Sequence, residues 1–468
     1  MSLRERRFIL ILSDLILMNL VLLISLMLRG DTHLELMTLW TRSYWFLILG
    51  GVWLLFATVF GLYELNFAST NILNHMFKVL LATLSASTVY YLIPVLTPEL
   101  PERRLAIYYF PLLMMTTLLI WRMFFFQLSK NQLFTTSVLF VGGGATKLEL
   151  QNLCDELEQL QTQHNAIGGY QIIGLVDDQF NGDEKPTYIP YLGKISHLEQ
   201  LIAEQQPREI VVVNGSSAEP GPETVQHLIS CREKGHTLTR LADFYENLTQ
   251  RVPGDQLGNQ FVQMLPHEQS GARRLYRLTH RAFDLVIGAF GCLITLFLIP
   301  CIWVINRIVS PGPMFYSQER VGLAAKPYRL YKFRSMIVNA ERETGAVWAQ
   351  KNDSRVTKFG RFLRRSRLDE FPQFWNVLKG EMSIIGPRPE RPEFVADLSG
   401  HLPFYRLRHA VKPGITGWAQ IKYPYGASLL DAKIKLQYDL FYIKHQNLFL
   451  DLIIILRTIN VILGLKGQ

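Results

Sequence analysis

The sequence predicts an α-helical membrane anchor, then an α/β domain, then a strongly basic third region. Three observations lead there. Hydrophobic residues make up 49% of the 468 positions, and four apolar runs of membrane-spanning length come first. The middle of the chain alternates strand-like and helix-like patterns. Charge is spread unevenly: residues 1–130 carry 10 Lys/Arg against 7 Asp/Glu, 131–270 carry 8 against 18, and 271–468 carry 30 against 14. The total of +9 hides this split, which assigns an anionic partner to the last region.

The four runs, residues 8–28, 44–62, about 73–96 and 105–128, each approach the ~20 residues that cross a bilayer. The third is the most polar, with Asn74, His75 and Lys78. Four spans return the chain to its starting side. Arg4, Arg6 and Arg7 precede the first run and by the positive-inside tendency hold the N-terminus in the cytoplasm, with Arg29 and Arg42 acting against them. No small-residue cleavage site follows, so the first run is expected to be an anchor and not a removable signal. Cys154, Cys231, Cys292 and Cys301 have neither CxxC nor metal-ligand spacing, which points to a reducing compartment and no zinc site.

In the middle, strand patterns at 137–143, 172–178 and 209–213 alternate with helix patterns at about 146–163, 195–205 and 222–234. That order is the signature of βαβ units around a parallel sheet. The first strand runs into Gly142-Gly143-Gly144, like the start of a dinucleotide fingerprint. Three features speak against a cofactor there. Lys147 stands at the third glycine position, Asp177 and Asp178 lie well beyond the usual ~20-residue offset, and an acidic segment repels a pyrophosphate. The expectation is a degenerate Rossmann-like accessory domain at 131–265, behind an anchor at 1–130, serving as a scaffold or dimerisation unit.

After Arg273, Arg274, Arg277 and Arg281 comes a fifth apolar run, 283–309, with Pro300 inside it. Proline removes one backbone hydrogen bond and clashes with the carbonyl of Leu296, which disfavours a straight span. Either the run crosses with a kink, leaving everything after Ser310 on the far side, or Pro300 breaks it into a re-entrant hairpin over about 282–309. Cations flank the run on both sides, which favours the hairpin.

Next comes the most concentrated chemical signal, Arg364-Arg365-Ser366-Arg367-Leu368-Asp369-Glu370-Phe371-Pro372. In the stretch before it, cations far outnumber Glu341, Glu343 and Asp353. A carboxylate that attacks a charged phosphate ester needs cations to offset the substrate's charge and a second acid for a metal. The same residues also spell a helix start, with Asp369 as N-cap and Pro372 in the first turn. The two readings are compatible, since a helix N-terminus attracts phosphate.

Five stretches in order carry a family resemblance: RAFDLVIG (281–288), SPGPMFYSQERVG (310–322), YKFRSM (331–336), FLRRSRLDEFPQFWNVLKGEMSIIGPRPE (362–390) and KPGITGWAQ (412–420). Together, over some 190 positions, the chain resembles the bacterial sugar transferase family, the polyprenol-phosphate phosphoglycosyl transferases that begin surface glycan synthesis. The four-run leader and α/β segment resemble the long-form members.

The resemblance implies a monotopic, α-rich catalytic domain at 266–468 with a re-entrant membrane helix. It implies that Asp369 attacks the β-phosphorus of a UDP-hexose, releasing UMP, and that undecaprenyl phosphate then takes the sugar phosphate from the aspartate. Glu370 is expected to hold Mg²⁺ and Arg364 to contact phosphate. Lys332, Arg334, Arg388, Pro387 and Arg320 are expected on the substrate side, with Arg388 in the rigid turn Gly386-Pro387-Arg388-Pro389. Plainer readings stand beside these: a cationic edge strand for Lys332 and Arg334, a simple turn for Arg388, and a surface facing anionic lipid heads for Arg361, Arg365 and Arg367. The aromatic residues near the site read as core or interfacial anchors, and the 448–463 run, with Asp451 and Arg457, as a helix lying on the membrane.

Implied partners are UDP-hexose, undecaprenyl phosphate and the lipid bilayer, with no nucleic acid and with room for a homodimer. The implied location is the bacterial inner membrane, with the catalytic domain on its cytoplasmic face. Residues 421–428 depart from the segment of many long-form members, which leaves the sugar open, and Ile299 stands where smaller relatives often have Ser. The rival functions are a membrane-anchored nucleotide-sugar oxidoreductase and a non-catalytic scaffold for glycan assembly.

Overall fold

The computed structural model describes residues 3–29, 42–63, 72–93, 96–99, 104–129, 136–143, 170–178, 189–214, 221–252, 271–338, 340, 353–402, 404–423, 426 and 428–463. They form two compact units, Met1–Thr249 and Gln250–Gln468.

Unit one opens with four apolar helices: α1 (Leu3–Arg29), α2 (Tyr44–Val59), α3 (Ile72–Tyr91) and α4 (Tyr109–Ser129). By length and composition α1, α3 and α4 suffice to cross a membrane; α2 has 16 residues, ~24 Å of helix, and is shorter than the run anticipated. The polar residues of the third run do not interrupt its helix, and His75 turns inward. Leu10, Met18, Trp53, Tyr90, Phe110 and Met114 form the core. Inside it, a feature not anticipated pairs two apolar runs. Arg122 Nη2 meets Asp14 Oδ2 at 2.6 Å, and both side chains are almost wholly buried. Tyr63 donates to the same Asp14 oxygen at 2.9 Å and receives Trp53 Nε1 at 2.9 Å. Neither charge would be tolerated alone in an apolar bundle; paired, they tie α1 to α4.

The second half of unit one is a five-stranded parallel sheet: β1 (Thr136–Gly143), β2 (Tyr170–Val176), β3 (Tyr191–Gly193), β4 (Glu209–Asn214) and β5 (Thr237–Arg240), in the order β3-β2-β1-β4-β5. Alternate residues face opposite cores, as period-2 geometry requires. Val138, Phe140, Val211 and Val213 meet Phe244 and Tyr245 of α7 (Leu241–Thr249). Leu139, Val141, Ile210 and Val212 meet α5 (Leu198–Gln205) and α6 (Pro222–Glu233). The anticipated strands and the helices near 195–205 and 222–234 are present; the anticipated helix at 146–163 lies outside the described residues, as do Gly144 and Lys147. At Gly142 any β-carbon would stand 1.5 Å from an Asp177 carboxylate oxygen, so this glycine is required by the close approach of a buried acid.

Unit two is organised along α8 (Gly271–Val309), a single helical element with Pro300 inside it. Its 39 residues extend ~58 Å, about twice a bilayer's hydrocarbon thickness. One face carries Asp284, Gly288, Gly291, Thr295, Ile302 and Asn306 at helical spacing and packs on the rest of the unit on both sides of Pro300. Residues between them, such as Val286, Phe290, Leu296, Phe297, Trp303 and Ile308, are exposed and apolar. The helix thus mixes small, polar and apolar residues where it meets protein and is greasy where it does not.

Against α8 lie the antiparallel ribbon β6 (Phe315–Val321) and β7 (Pro327–Phe333), the short helices α9 (Lys358–Arg365) and α10 (Gln373–Lys379), and the two-residue-paired parallel strands β8 (Ser383–Ile385) and β9 (Gly414–Thr416). The helices α11 (Pro392–His401), α12 (Trp418–Lys422), α13 (Leu429–His445) and α14 (Leu448–Leu463) complete the unit. In α14, Asp451 is buried and accepts from Tyr276 at 2.8 Å and Tyr442 at 3.0 Å, while Leu450 and Ile454 enter the core. Phe449, Leu452 and Ile459 remain exposed, so the helix anticipated on the membrane has one face committed to protein.

Candidate active site

The site is built from the sequence motifs upward. Arg281 on α8 donates to the carbonyls of Val377 and Leu378 at 2.8 and 2.9 Å, which satisfies the open C-terminal end of α10. Three residues on, Asp284 receives Ser383 Oγ and the Ile384 amide at 2.9 and 2.8 Å and so fixes β8. Gly291 lets the Phe374 ring approach to within 2.3 Å of where a β-carbon would be. Asn376, fully buried, receives the Tyr331 amide at 3.2 Å and donates to Arg329 carbonyl and Glu381 at 2.7 Å each, which locks α10 to β7. These contacts explain why the motifs are rich in residues that never reach the reaction centre.

Between α9 and α10 the chain makes a tight 3₁₀ turn, Leu368–Glu370. Thr357 caps α9 by accepting the Gly360 amide at 2.9 Å, and Arg367, left-handed at φ 59°, turns the chain out of it. Asp369 is therefore not an N-cap. Pro372 holds that position for α10, and the two carboxylates sit one turn earlier, where the backbone aims them into the unit. Asp369 thus lies inside the 3₁₀ turn and not at the helix start expected of it; the reversal at Arg367 needs a left-handed residue that sequence pattern does not announce.

Asp369 is 7% exposed. Burial pushes its carboxyl up, and neighbouring Glu370 adds to this, while Lys332, Arg364 and Arg388 oppose it; the balance is about 6. Glu370 is less fully enclosed, and Lys332, Arg388 and Arg367 hold its carboxyl well below the usual range against the cost of desolvation. The distances agree: Lys332 Nζ lies 2.9 Å and Arg388 Nη2 3.3 Å from Oε1, and Arg367 Nη1 lies 3.6 Å from Oε2. One acid is thus kept near neutrality's edge and its neighbour firmly charged.

The structure brings Asp369, Glu370, Lys332 and Arg388 together, with Arg364 close enough to act on Asp369 and anchored by its Nε to Ser335 Oγ at 2.9 Å. Arg334 is directed elsewhere. Its guanidinium donates to Asn306 Oδ1 at 3.0 Å and to the Ser310 carbonyl at the end of α8, which departs from the substrate-side role expected of it. Arg320 donates to the Pro389 carbonyl at 3.1 Å and to Gln318 at 2.6 Å, under the turn that carries Arg388. Pro387 gives its carbonyl to the Gly414 amide at 2.9 Å. Arg361 and Arg365 are exposed, whereas Arg367 faces Glu370; its spacing three residues before an acid was the available signal.

The turn Gly386-Pro387-Arg388-Pro389 is as rigid as its prolines imply, and KPGITG is what it rests on. Gly386 donates to Thr416, and β-carbons at Gly386, Gly414 or Gly417 would collide with the facing backbone at 2.1 to 2.3 Å. Among the described residues no three His, Cys, Asp or Glu side chains converge. Asp369 and Glu370 nonetheless offer hard carboxylate oxygens, the donors a Mg²⁺ ion uses when substrate phosphates complete its shell. A carboxylate pair ringed by cations can attack and stabilise a phosphoryl centre.

Comparison with known proteins gives the same direction. The profile of the family described as bacterial sugar transferase matches residues 275–464. A UDP-N-acetylgalactosamine-undecaprenyl-phosphate N-acetylgalactosaminephosphotransferase of Aeromonas hydrophila is 43% identical over 219 residues, 47% of this chain and 50% of that one. A UDP-glucose:undecaprenyl-phosphate glucose-1-phosphate transferase of Escherichia coli (strain K12) is 40% identical over 200 residues, 42% of this chain and 43% of that one. An uncharacterized sugar transferase of Bacillus subtilis (strain 168) is 37% identical over 191 residues, 40% of this chain and 88% of that one. The chain thus spans half or less of the first two relatives and nearly all of the third.

Proposed function

The chain belongs to the bacterial sugar transferase family, and from that premise we propose that it transfers a hexose-1-phosphate from a UDP-hexose to undecaprenyl phosphate. The observation that carries this is the buried Asp369 beside a Glu370 clamped by Lys332, Arg367 and Arg388. An Asp369 oxygen bonds to the β-phosphorus; the bond from that phosphorus to the bridging oxygen breaks, and UMP leaves with the electron pair. An oxygen of undecaprenyl phosphate then attacks the same phosphorus and displaces the Asp369 carboxylate, giving the undecaprenyl diphosphate sugar. One phosphoric anhydride is lost and one gained overall, so positioning and charge stabilisation supply the rate.

Lys332, Arg364 and Arg388 offset the charge that gathers on the diphosphate. Glu370 is the residue that would hold Mg²⁺, which when bound neutralises phosphate oxygens. The names of the relatives span glucose and N-acetylgalactosamine, so a UDP-hexose or its 2-acetamido form is the donor class.

The catalytic unit is read as monotopic on the cytoplasmic face of the inner membrane, with α8 re-entrant about Pro300. Its inner face packs on one body from Arg281 to Asn306, on both sides of the proline, while its outer face is apolar throughout. A straight crossing would drag that body into hydrocarbon. The test of the whole reading is a panel of UDP-sugars given to purified protein with Mg²⁺ and undecaprenyl phosphate. UMP appears with one or a few of them; no release with any would overturn the reading.

A further inference from the structure

The segment that carries Arg388 is held by every carbonyl it has. Gly414 donates to Pro387 at 2.9 Å, Arg408 Nη2 to Arg388 at 2.9 Å, Arg320 Nη1 to Pro389 at 3.1 Å, and the Val321 amide to Glu390 at 3.0 Å. Two of the four donors are backbone amides and follow from strand position. The other two are guanidiniums, and Arg408 is the more costly to place. It is 7% exposed, its Nη2 also meets Asp439 Oδ2 on α13 at 2.8 Å, and its Nη1 donates to the Tyr405 hydroxyl at 2.6 Å. A buried ion pair gives little net stability over an apolar pair of equal volume, so its presence beneath an active-site turn asks for another reason.

We propose that Arg408, oriented by Asp439 and Tyr405, is a positioning residue for Arg388: its Nη2 donates to both the Asp439 carboxylate and the Arg388 carbonyl, while Nη1 donates to the Tyr405 hydroxyl, and the Arg388 guanidinium is thereby aimed at Glu370. The inference rests on the phosphotransfer reading for its catalytic consequence, but its geometry stands independently. Arg388 is two-fifths exposed and long, and its contact with Glu370 at 3.3 Å is set by where its backbone is pinned. A lysine at 408 keeps a charge for Asp439 but lacks the rigid guanidinium plane that holds the Tyr405, Asp439 and Arg388 oxygens at two fixed nitrogens. Neither Arg408 nor Asp439 belongs to the motifs around the acids.

Two measurements on the full-length protein test this. The first is hydrogen exchange of the Gly414 and Val321 amides, which report on the turn without any substrate. Arg408→Lys should speed both by about tenfold, as the loss of one hydrogen bond to a charged group implies. The second is UMP release in Arg408→Lys, Arg388→Met and the double variant. Each single variant should lower kcat/KM by roughly tenfold to a hundredfold, and the double should be no worse than Arg388→Met. The paired substitution Arg408→Met with Asp439→Leu, which leaves no charge buried, guards against simple unfolding and should show the same exchange. Unchanged exchange, or an Arg408→Lys loss of the same size in the Arg388→Met background, would overturn the proposal. A wild-type protein that releases no UMP would sink the phosphotransfer reading alone, since the exchange result still decides the clamp.

Discussion

Lys332 Nζ and Arg388 Nη2 meet the same oxygen of Glu370, at 2.9 and 3.3 Å, from a ribbon strand and a proline-bounded turn. Two rigid supports therefore converge on the acid that neighbours Asp369. Removing Lys332 strips Glu370 of its nearest cation and leaves Asp369 without the strongest influence holding its charge. Lys332→Met should lower kcat/KM for UMP release by about 100-fold with little loss of folded protein, measured by steady-state kinetics beside a thermal melt. Unaltered kinetics would remove Lys332 from the site.

The acid limb of activity follows from the carboxyl pair. Asp369 is pushed up to about 6, and a nucleophile must be unprotonated, so kcat/KM falls about tenfold per pH unit below that point. Glu370 is held low and stays charged throughout. The sign is set by burial: a surface aspartate would keep full activity near pH 5. A profile flat from pH 7.5 down to 5 would show that Asp369 does not titrate as the attacking group.

Gly291 tests the packing of α8 on α10. A methyl there would stand 2.3 to 2.5 Å from atoms of the Phe374 ring, and Thr295 one turn on donates to the Phe371 carbonyl at 3.3 Å. Gly291→Ala should destabilise the protein by roughly 1–3 kcal/mol despite alanine's better helix propensity, read as a lowered melting temperature in detergent. A gain in stability would mean that the two helices are not in this contact.

In the anchor, Asp14→Ala leaves Arg122 charged and buried, which should cost about 3–5 kcal/mol; Asp14→Leu with Arg122→Met removes both charges and should recover most of it. Thermal melts of the three proteins decide. Equal loss in the single and double variants would show that the pair serves something other than its own neutralisation.

The apolar helices and the parallel sheet were legible in the sequence, because long apolar runs and period-2 strands are local signals; that Lys332 and Arg388 belong near Asp369 and Glu370 was expected only from the family resemblance. What was not legible depends on partners distant along the chain. Asp14 and Arg122 lie 108 positions apart in runs that read as purely apolar. Arg408 and Asp439 are single residues outside any dense motif, and their meaning appears only when the Arg388 carbonyl lies between them. Arg334 read as a substrate cation because it shares a motif with Lys332, and two residues apart on a strand would share a face; but β7 ends at Phe333, and one step past it the Arg334 side chain goes to the end of α8. The helix-start reading of Asp369 failed because a left-handed Arg367 moved the start of α10 to Pro372 and Gln373.

The proposed reaction turns on a transient bond between Asp369 and phosphorus. Protein mixed with Mg²⁺ and a UDP-hexose labelled in its β-phosphate, quenched in acid before undecaprenyl phosphate is added, should retain one label per chain on the peptide that holds Asp369, and Asp369→Asn should retain none. Label on another residue, or label undiminished in Asp369→Asn, would contradict the account.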